Sequence, residues 1–464
     1  MEDQMRIEKD SLGELQVPKS AYYGVQTARA IANFPISGLR PHPFFIRSTG
    51  MVKWAAADTN MALKKLNPAI GKTIQQAAVE VMDGKWNDQF IVDVFQAGAG
   101  TSHNMNTNEV IANRAIEMLG GLRGEYQRVH PNDHVNMSQS TNDIFPTAMR
   151  VAALLMCMPL ASALSHLEKT LLKKAREFNN VIKSGRTHLQ DAVPIRMGQE
   201  FSGYARAIAL AIQNIEAASI GLHEIGLGGS AAGTGINTDP RYAKKVAVSL
   251  SKISGLQLQS GKNLFERMQS LADFVTISSA LKRLAVELIR IANDLRLMAS
   301  GPRTGFNEIV LPPVQPGSSI MPGKVNPVMA EVTNMVCFHV IGNDAAITLA
   351  AQAGQMELNV MMPIVNYNLL QSFEILTNTV RLLADRCVAG ITANREQCLM
   401  YAEKSIGLAT ILNQSIGYEA AAMVAKTSMQ TGKSLREIVI EKGILSAADA
   451  DRIFDPMKMT TPGE

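Results

Sequence analysis

Four short segments combine residue types that can bind carboxylates and move protons. They are GAGTSHNMNTNEV (98–110), HPNDHVNMSQSTND (130–143), SGRTHLQDAVP (184–194) and PGSSIMPGKVNPVMAE (316–331). The segments are rich in Ser, Thr, Asn or His, and the last one also carries Lys324. Short hydroxyl, amide and backbone N–H donors can hold a carboxylate without burying excess charge. One such segment is usually a solvated connection, whereas four of one kind indicate a binding site.

These segments interrupt sequence that is otherwise helical. Glu266–Ser300 contains no glycine or proline, and its apolar residues recur at spacings of three and four, as in a heptad seam (Leu281, Leu284, Leu288, Ile291, Leu295 and Met298). Leu160–Ser184, Ile364–Ala389 and Tyr204–Ile220 are further stretches without a breaker. The pattern predicts an all-α fold with an elongated central bundle of long helices, flanked by small N- and C-terminal domains.

The two ends of the chain differ from this helical centre. We place an N-terminal domain at 1–141, the central helical bundle at 142–396 and a small C-terminal domain at 397–464. In the C-terminal domain, Ser434-Leu-Arg-Glu437 is a capping-box pattern, and Ser446-Ala-Ala-Asp449 is an Asp variant of it. Two short helices are therefore expected to begin there.

Composition excludes several classes of function. The formal net charge is +4 over 464 residues without a dense basic run, which gives weak support to nucleic-acid or membrane-surface binding. The four cysteines form no CxxC pair, which favours reduced thiols in a reducing compartment. The first residues lack the apolar core of a signal peptide, and we expect no transmembrane segment. The sequence thus predicts a cytoplasmic protein.

Three local patterns resemble functional motifs that they do not complete. TGKS (431–434) has Thr427 where a phosphate-binding P-loop needs glycine. The segment GLGGSAAGTG (226–235) lacks the GxGxxG spacing, so we interpret it as a chain reversal between helices. His130, Asp133 and His134 have no partner residues at zinc-site spacing, so ordinary polar contacts are the preferred interpretation and no metal site is predicted.

The residues GSSIMPGKVNP resemble the signature loop of the aspartase/fumarase superfamily. The three other polar segments are similar to the remaining motif regions of this superfamily, so the resemblance covers essentially the whole chain. It implies elimination of a group from the carbon beside a carboxylate, with release of fumarate. It also implies a homotetramer with a core of twenty helices, and active sites that are each built from three subunits.

Within the superfamily, most segments are similar to the aspartase family, whose members convert L-aspartate to fumarate and ammonia. These segments are AYYGVQTARA (21–30), WNDQFIVDVFQAGAGTSHNMNTNEV (86–110), GPRTGFNEI (301–309) and TGKSLREIV (431–439). VHPND (129–133) instead resembles a loop that forms a second dicarboxylate site in fumarases. Class II fumarate hydratase, acting on fumarate and L-malate, is therefore the alternative activity. A non-catalytic helical scaffold is the alternative from another class, since the superfamily has members recruited for structural roles. The presence of Ser318, Lys324, Asn326 and His188 together argues against a scaffold.

The resemblance assigns a role to each candidate site residue. Ser318 is the general base, and His188 and Lys324 complete the catalytic set. Four residues hold the β-carboxylate and its aci form: Thr101, Ser140, Thr141 and Ser319. Lys324 and Asn326 hold the α-carboxylate, while three residues surround the amino group: Asn142, Thr187 and His188. The resemblance also pairs His188 with Glu331.

Cofactor use and two departures from the family pattern complete the expectations. The chemistry needs no cofactor and the chain has no phosphate-binding loop, so we expect no cofactor; some aspartases respond to magnesium, which leaves magnesium activation open. Pro159 predicts a kink or a helix start within the long central helix. His103 stands where small or apolar residues are usual, and either alters the first carboxylate loop or points away from it.

Overall fold

The fold, seen in a computed structural model, is 63% helical with few short strands, which confirms the all-α prediction. The structure describes residues 4–455 and 457–461; the outermost residues of the predicted terminal domains, 1–3 and 462–464, and Pro456 lie outside this range. Within it the helices are α1 Val25–Asn33, α2 Pro43–Ala62, α3 Pro68–Met82, α4 Thr101–Met118, α5 Thr141–Glu177, α6 Met197–Ser219, α7 Tyr242–Ser254, α8 Leu264–Gln269, α9 Ala272–Met298, α10 Val328–Gln352, α11 Met362–Arg386, α12 Arg395–Lys404, α13 Ala409–Ile416, α14 Tyr418–Thr431, α15 Leu435–Glu441 and α16 Ala447–Ile453.

The strands in the described residues form four small two-stranded sheets. The pairs are β1 Met5–Asp10 with β2 Gly13–Pro18, β3 Ile182–Thr187 with β4 Gln190–Arg196, β5 Glu224–Ile225 with β6 Gln259–Ser260, and β7 Ile309–Val310 with β8 Thr392–Ala393. All are antiparallel except the pair of β5 and β6. Thr187 and His188 lie at the tip of the β3–β4 hairpin.

The chain divides into two compact units. The first unit comprises Met1–Ala161, Gln213–Arg283 and Phe338–Leu376, and the second comprises Ser162–Ile212, Leu284–Cys337 and Thr377–Glu464, as shown by the density of contacts within each. The division falls inside five long helices, namely α5, α6, α9, α10 and α11. The domain boundaries predicted near 141 and 396 remain predictions.

The first unit has an apolar core in which α2, α3 and α4 pack together. Helix α2 begins after His42, whose Nδ1 accepts a hydrogen bond from Phe44 N, and α3 begins after Asn67, whose Oδ1 accepts one from Ala69 N. Proline follows each of these caps, where a missing N–H costs no helical hydrogen bond. In the second unit, Leu412, Val424, Leu435 and Val439 centre a smaller core at the C-terminal end.

The seam predicted for the central helix is confirmed, whereas its predicted length is wrong. All six seam residues lie buried on α9. The breaker-free stretch Glu266–Ser300 is nevertheless not one helix, because α8 ends at Gln269 and α9 starts at Ala272. Ser270 between them has an extended backbone, and its Oγ accepts a hydrogen bond from Ala272 N. A serine that caps the next helix therefore stops this one without glycine or proline.

Two other helical predictions need correction. The breaker-free stretch Leu160–Ser184 leaves the helix at Glu177, and the β-branched and glycine-containing sequence after it forms β3 instead. Pro159 does not start a helix, since α5 continues through it and through Pro146, while the alternative of a kink at Pro159 stays a prediction. A window of α5 is also long and apolar enough to cross a membrane, but 72% of that window is buried within the protein. It therefore packs as a core helix.

The two short helices predicted in the C-terminal domain are confirmed. Ser434 and Glu437 form a complete capping box at α15, and Ser446 Oγ accepts a hydrogen bond from Asp449 N at the start of α16. TGKS lies between α14 and α15, where Gly432 ends one helix and Ser434 caps the next. The four cysteines are free, and burial raises the pKa of each thiol to about 12. Thiols with such pKa values are unreactive at neutral pH.

Candidate active site

In the first unit, the predicted carboxylate-binding residues lie at the starts of α4 and α5. Thr101 is the first residue of α4, and Thr141 is the first residue of α5. Asn104, one turn into α4, donates a hydrogen bond from Nδ2 to Thr141 Oγ1 at 3.0 Å, so the two helix starts lie side by side. The N-terminus of a helix carries partial positive charge and favours anions. This unit thus brings Thr101, Ser140, Thr141 and Asn142 together.

Glycine at position 100 is required for this approach. Gly100 has φ +86°, and a Cβ there would lie 2.1 Å from ring atoms of Phe145, one turn into α5. Phe145 is buried against Phe45 at a centroid distance of 4.8 Å, so its ring cannot move aside without disturbing the core. Any residue other than glycine would push the start of α4 away from α5.

The segment before α5 is fixed by a buried carboxylate, that of Asp143. Its Oδ1 accepts a hydrogen bond from Ser140 N at 2.9 Å, and its Oδ2 accepts one from Gly228 N and one from Ser230 N, both at 2.9 Å. Asn142 Nδ2 donates to Ala231 O at 2.8 Å. Burial raises the pKa of Asp143 to about 6, against the lowering effect of its hydrogen bonds. The glycine-rich segment 226–235, predicted as a chain reversal, therefore also braces the candidate site.

A buried lysine lies behind the same segment. The Lys53 side chain is fully buried, and its Nζ donates to Asn136 Oδ1 and Gln139 Oε1, both at 2.9 Å. Burial lowers the pKa of Lys53 well below its ordinary value, while the charge of Asp143 opposes this shift. Asn136 Oδ1 also accepts a hydrogen bond from Asn104 at 3.3 Å. Polar contacts therefore join α2, the 130–143 segment and α4 beneath the site.

His103 points away from the carboxylate loop. Its ring stacks on Phe45 at a centroid distance of 4.5 Å, and it is buried. Thr49 Oγ1 already donates to Phe45 O, so it must accept a hydrogen bond from His103 Nε2–H. Burial lowers the pKa of His103 to about 3, which keeps the ring neutral. Of the two outcomes left open by the sequence, the structure supports the packing role.

Of the three candidate metal ligands near residue 130, His130 caps a short helix, and His134 Nδ1 accepts a hydrogen bond from His130 N. His130 Nδ1 accepts hydrogen bonds from Asn132 N and Asp133 N, at the start of the single π-helical turn Pro131–Val135. Within residues 4–455 and 457–461, no group of three or more His, Cys, Asp or Glu side chains could hold a metal ion. A cavity of about 500 Å³ lies between His130, Asn132, Arg29 and Thr101. Whether VHPND binds a dicarboxylate stays a prediction.

In the second unit, Thr187 and His188 lie at the tip of the β3–β4 hairpin. Thr187 pairs with Gln190, so His188 and Leu189 form a two-residue turn. Both turn residues have positive φ, 56° and 57°, and both side chains are exposed. The hairpin thus presents the His188 ring to solvent in this chain.

The segment that carries Ser318 is irregular and lies between β7 and α10. Gly317 N donates to Lys324 O at 2.8 Å, and Asn326 Nδ2 donates to Gly317 O at 2.6 Å, which closes the loop on itself. Ser318 Oγ accepts hydrogen bonds from Ile320 N at 3.2 Å and Met321 N at 3.0 Å. Two N–H groups directed at one hydroxyl oxygen favour its deprotonated form.

The six predicted residues of the second unit lie on two segments, the β3–β4 hairpin and the loop of residues 317–326. Ser319 and Lys324 are exposed on the loop, and a cavity of about 480 Å³ is lined by Pro313, Ser318, Met321 and Lys324 among others. In the described residues, no hydrogen bond joins this loop to Thr187 or His188, and no ion pair joins His188 to Glu331. The His188–Glu331 pairing therefore stays a prediction, as do the individual site roles.

Two family profiles match most of the chain. A profile of the lyase family matches residues 13–342, and a profile of the fumarase C C-terminus matches residues 408–461. An aspartate ammonia-lyase from Bacillus sp is 53% identical over 463 residues, with 100% of this chain and 99% of that protein covered.

Two solved structures extend the comparison. The fumarate lyase:delta crystallin from Brucella melitensis bound to cobalt has a TM-score of 0.97 and 49% identity, over 99% of this chain and 100% of that chain. The class II fumarase from Schistosoma mansoni has a TM-score of 0.95 and 38% identity, over 99% of this chain and 100% of that chain. Identity this high over the full length shows a common family. The chain therefore belongs to the aspartate ammonia-lyase family of carbon–nitrogen lyases, within the aspartase/fumarase superfamily.

Proposed function

We propose that the chain catalyses the reversible, cofactor-independent deamination of L-aspartate to fumarate and ammonia, with Ser318 as the general base. The observation that carries the mechanism is the pair of backbone N–H groups, from Ile320 and Met321, directed at Ser318 Oγ. They stabilise the alkoxide, which is a strong base but scarcely exists at neutral pH in water. Membership of the aspartate ammonia-lyase family supports ammonia as the leaving group.

In the proposed reaction, the Ser318 alkoxide removes a proton from the β-carbon of L-aspartate. The electron pair of that C–H bond moves into the neighbouring carboxylate and gives a doubly negative aci-carboxylate. When this intermediate collapses, the carbon–nitrogen bond breaks, ammonia leaves with the bonding pair, and the double bond of fumarate forms. The proton on Ser318 passes to solvent, which restores the alkoxide for the next turnover.

The developing negative charge needs donors that are already in place before the reaction. We assign Thr101, Ser140, Thr141 and Ser319 to the β-carboxylate and its aci form. The convergent starts of α4 and α5 support this assignment, since helix N-termini stabilise added negative charge without reorganisation. We assign Lys324 and Asn326 to the α-carboxylate, and Asn142, Thr187 and His188 to the amino group.

The assembly and surroundings of the site are part of the same proposal. The residues of one site are supplied by three subunits of a homotetramer, and the enzyme acts in the cytoplasm on small molecules without nucleic-acid or membrane partners. No metal is required, and magnesium acts at most as an activator. Light scattering of the purified protein should give a mass of four chains, and activity should survive removal of divalent metals with EDTA.

Substrate choice is tested by fumarate absorbance after addition of L-aspartate or L-malate to the purified protein. We expect fumarate from L-aspartate and little or none from L-malate. Fumarate from L-malate alone would make the chain a fumarate hydratase. That alternative is favoured by VHPND and by the 0.95 TM-score to a class II fumarase. No product from either substrate would refute both activities.

The base is tested by Ser318→Ala. A positioned general base contributes roughly 10²- to 10⁴-fold to rate, so we expect kcat to fall by about 10³-fold or more. Binding of fumarate, measured by calorimetry, should remain detectable. Ser319→Ala, at the neighbouring hydroxyl, should lower kcat less than Ser318→Ala does, since it removes one of several donors to the aci form and leaves the base in place. Retention of most turnover in a folded Ser318→Ala variant would remove Ser318 from the role of base.

A further inference from the structure

The tip of the β3–β4 hairpin is strained, and its own contacts do not explain what maintains it. A two-residue hairpin turn with positive φ at both positions is normally built from Asn and Gly, whereas here it consists of His188 and Leu189. The Leu189 side chain is 65% exposed, so it contributes little packing. Strained backbone persists only where the surrounding structure enforces it. Within this chain, the restraint therefore comes from contacts of the two strands: β4 is hydrogen-bonded to Ser405 and Ile406, and β3 is hydrogen-bonded to a buried carboxylate.

The buried carboxylate of Glu308 contacts two residues of β3. Glu308 has 0% side-chain exposure, and its two oxygens face different cations. Lys183 Nζ lies 2.8 Å from Oε2, and the guanidinium of Arg186 donates to Oε1 at 2.7 Å. Arg186 directly precedes Thr187 and is two residues from His188. One carboxylate thus holds both the buried start and the outer end of β3.

An irregularity in the hairpin makes this double contact possible. Residues three apart on a regular strand point to opposite faces, so Lys183 and Arg186 would not normally reach the same group. Pairing is irregular between Ser184 and Arg186, with Gly185 in between. A Cβ at Gly185 would lie 2.7 Å from Val193 O across the hairpin. The irregularity and the glycine together turn both cations toward Glu308.

Glu308 is itself held by the rest of the second unit. Its N–H donates to Met298 O at the end of α9, and its carbonyl accepts from Asn394 N, both at 2.9 Å. The guanidinium of Arg186 stacks over Phe306 at 4.4 Å, on the segment that carries Glu308. Contacts of Glu308 therefore connect the end of α9 to β3, which ends at Thr187, the residue before His188.

The charges of the side chains around Glu308 balance. Lys183 also pairs with Glu200, whose Oε2 lies 3.0 Å from Nζ, so two carboxylates face two cations. Burial acts to lower the pKa of Lys183, but Glu200 and Glu308 raise it overall. Loss of the Glu308 charge would leave Arg186 without a carboxylate partner among its described contacts. Glu200, in contrast, contacts Lys183 and not Arg186, so it offers a control within the same buried group.

We propose that Glu308 is a positioning residue that fixes the geometry of His188 through Arg186 and Lys183. The role of Glu308 rests on the proposed function, in which His188 contacts the amino group of the substrate. Glu308 touches no substrate. It acts by keeping the β3–β4 hairpin in the one conformation that presents His188, so its loss should lower kcat more than it raises KM.

The test is Glu308→Gln, with Glu200→Gln as the matched control. A displacement of about 1 Å at a reacting group can cost about 100-fold, so we expect kcat of Glu308→Gln to fall by about that factor with KM within about threefold. Glu200→Gln should keep kcat within about threefold. In a His188→Ala background, Glu308→Gln should lower kcat by no more than about twofold. Glu308→Asp, which retains the charge, should have a kcat at least about tenfold higher than that of Glu308→Gln.

Three kinetic results would overturn the proposal. They are wild-type kcat in folded Glu308→Gln, an equal loss of kcat in Glu200→Gln, and the full 100-fold loss persisting without His188. Should Glu308→Gln fail to fold, Arg186→Lys replaces it, because lysine lacks the planar fork that bonds Glu308 and stacks on Phe306. Wild-type kcat in Arg186→Lys would also overturn the proposal.

A second measurement needs no substrate and separates this proposal from the proposed function. Chymotrypsin cleavage after Leu189, followed by mass spectrometry, reports how firmly the hairpin is held. We expect cleavage about tenfold faster in Glu308→Gln and unchanged in Glu200→Gln; equal rates in all three proteins would refute the anchor. A wild-type protein without activity on L-aspartate would defeat the proposed function, while the cleavage rates would still decide the role of Glu308.

Discussion

The segments that carry Ser318 and Thr141 differ in how far their hydrogen bonds reach. In the part of the chain that the structure describes, the hydrogen bonds of residues 317–326 stay between residues 317 and 328. Those of Ser140–Asp143 extend to Asn104 and to residues 228–231, which are 85 to 89 residues further along the chain. The proposed base thus rests on local contacts, whereas the proposed carboxylate site rests on distant ones.

This difference matches the two tasks in the proposed reaction. Donors that stabilise a developing charge act best when they are fixed beforehand, and the buried Asp143 fixes them. A base that must approach the substrate can lie on a segment that moves as a unit, with its internal geometry kept by the Gly317–Lys324 contact. Substitutions in the two segments should therefore separate effects on stability from effects on turnover.

The largest effect on stability is expected from Gly100→Ala. A Cβ there would overlap the Phe145 ring and occupy a positive-φ position. Overpacking and backbone strain together should destabilise the first unit by about 4 kcal/mol. Both tryptophans, Trp54 and Trp86, belong to this unit, so urea unfolding followed by their fluorescence reports on it directly.

The control for Gly100→Ala is Gly120→Ala. Gly120 also has positive φ, 73°, but a Cβ there would meet no atom within 4 Å. Gly120→Ala should lower the free energy of unfolding by about 1 kcal/mol, because it adds only backbone strain. Equal losses in the two variants would mean that the approach of α4 to α5 is not as tight as the structure indicates.

The next effect concerns pH and Asp143. Its pKa is raised to about 6 in the folded state from 3.8, so the folded state binds this proton more tightly than the unfolded state does. The contribution of Asp143 to stability is therefore greatest below about pH 4 and declines as the pH rises to about 6, by about 3 kcal/mol. Asp143→Asn removes the titrating carboxyl. The free energy of unfolding of the wild type, relative to that of the variant, should therefore fall by about 3 kcal/mol between about pH 4 and about pH 6. A constant difference would show that the hydrogen bonds from Ser140, Gly228 and Ser230 fully offset the effect of burial on the pKa of Asp143.

The same contrast explains how much could be predicted from the sequence. The heptad seam, the capping box at Ser434 and the helix C-cap at Gly432 depend on residues a few positions apart, and local patterns predicted the first two directly. The candidate residues were found because short motifs carry them. Asp143 lies in the polar segment 130–143, which the sequence indicates as part of a binding site. Its role nevertheless depends on Gly228 and Ser230, which no local pattern connects to it.

Glu308 and the helix boundaries were missed for related reasons. Glu308 meets Arg186 across 122 residues of sequence, so its role depends entirely on tertiary structure. The break between α8 and α9 depends on the backbone of Ser270, which looks like any polar helical residue in the sequence. β3 follows α5 without a proline, and only the shift to β-branched residues and glycine signals it.

The smallest effect on stability, with a clear effect on activity, is expected from Gly317→Ala. A Cβ at Gly317 would lie 2.3 Å from the carbonyl oxygen of Lys324 and 2.9 Å from Asn326 N, so the loop would have to open at the contact that relates Ser318 to Lys324. Because the described contacts of this loop are local, the melting temperature should change by no more than about 2 °C, while kcat should fall by about 100-fold. Gly323→Ala is the matched control in the same loop, with φ +81° and no atom within 4 Å of the added Cβ. It should lower kcat by less than about tenfold, and equal losses in the two variants would show that backbone strain, and not the contact between Gly317 and Lys324, sets the geometry of the proposed base.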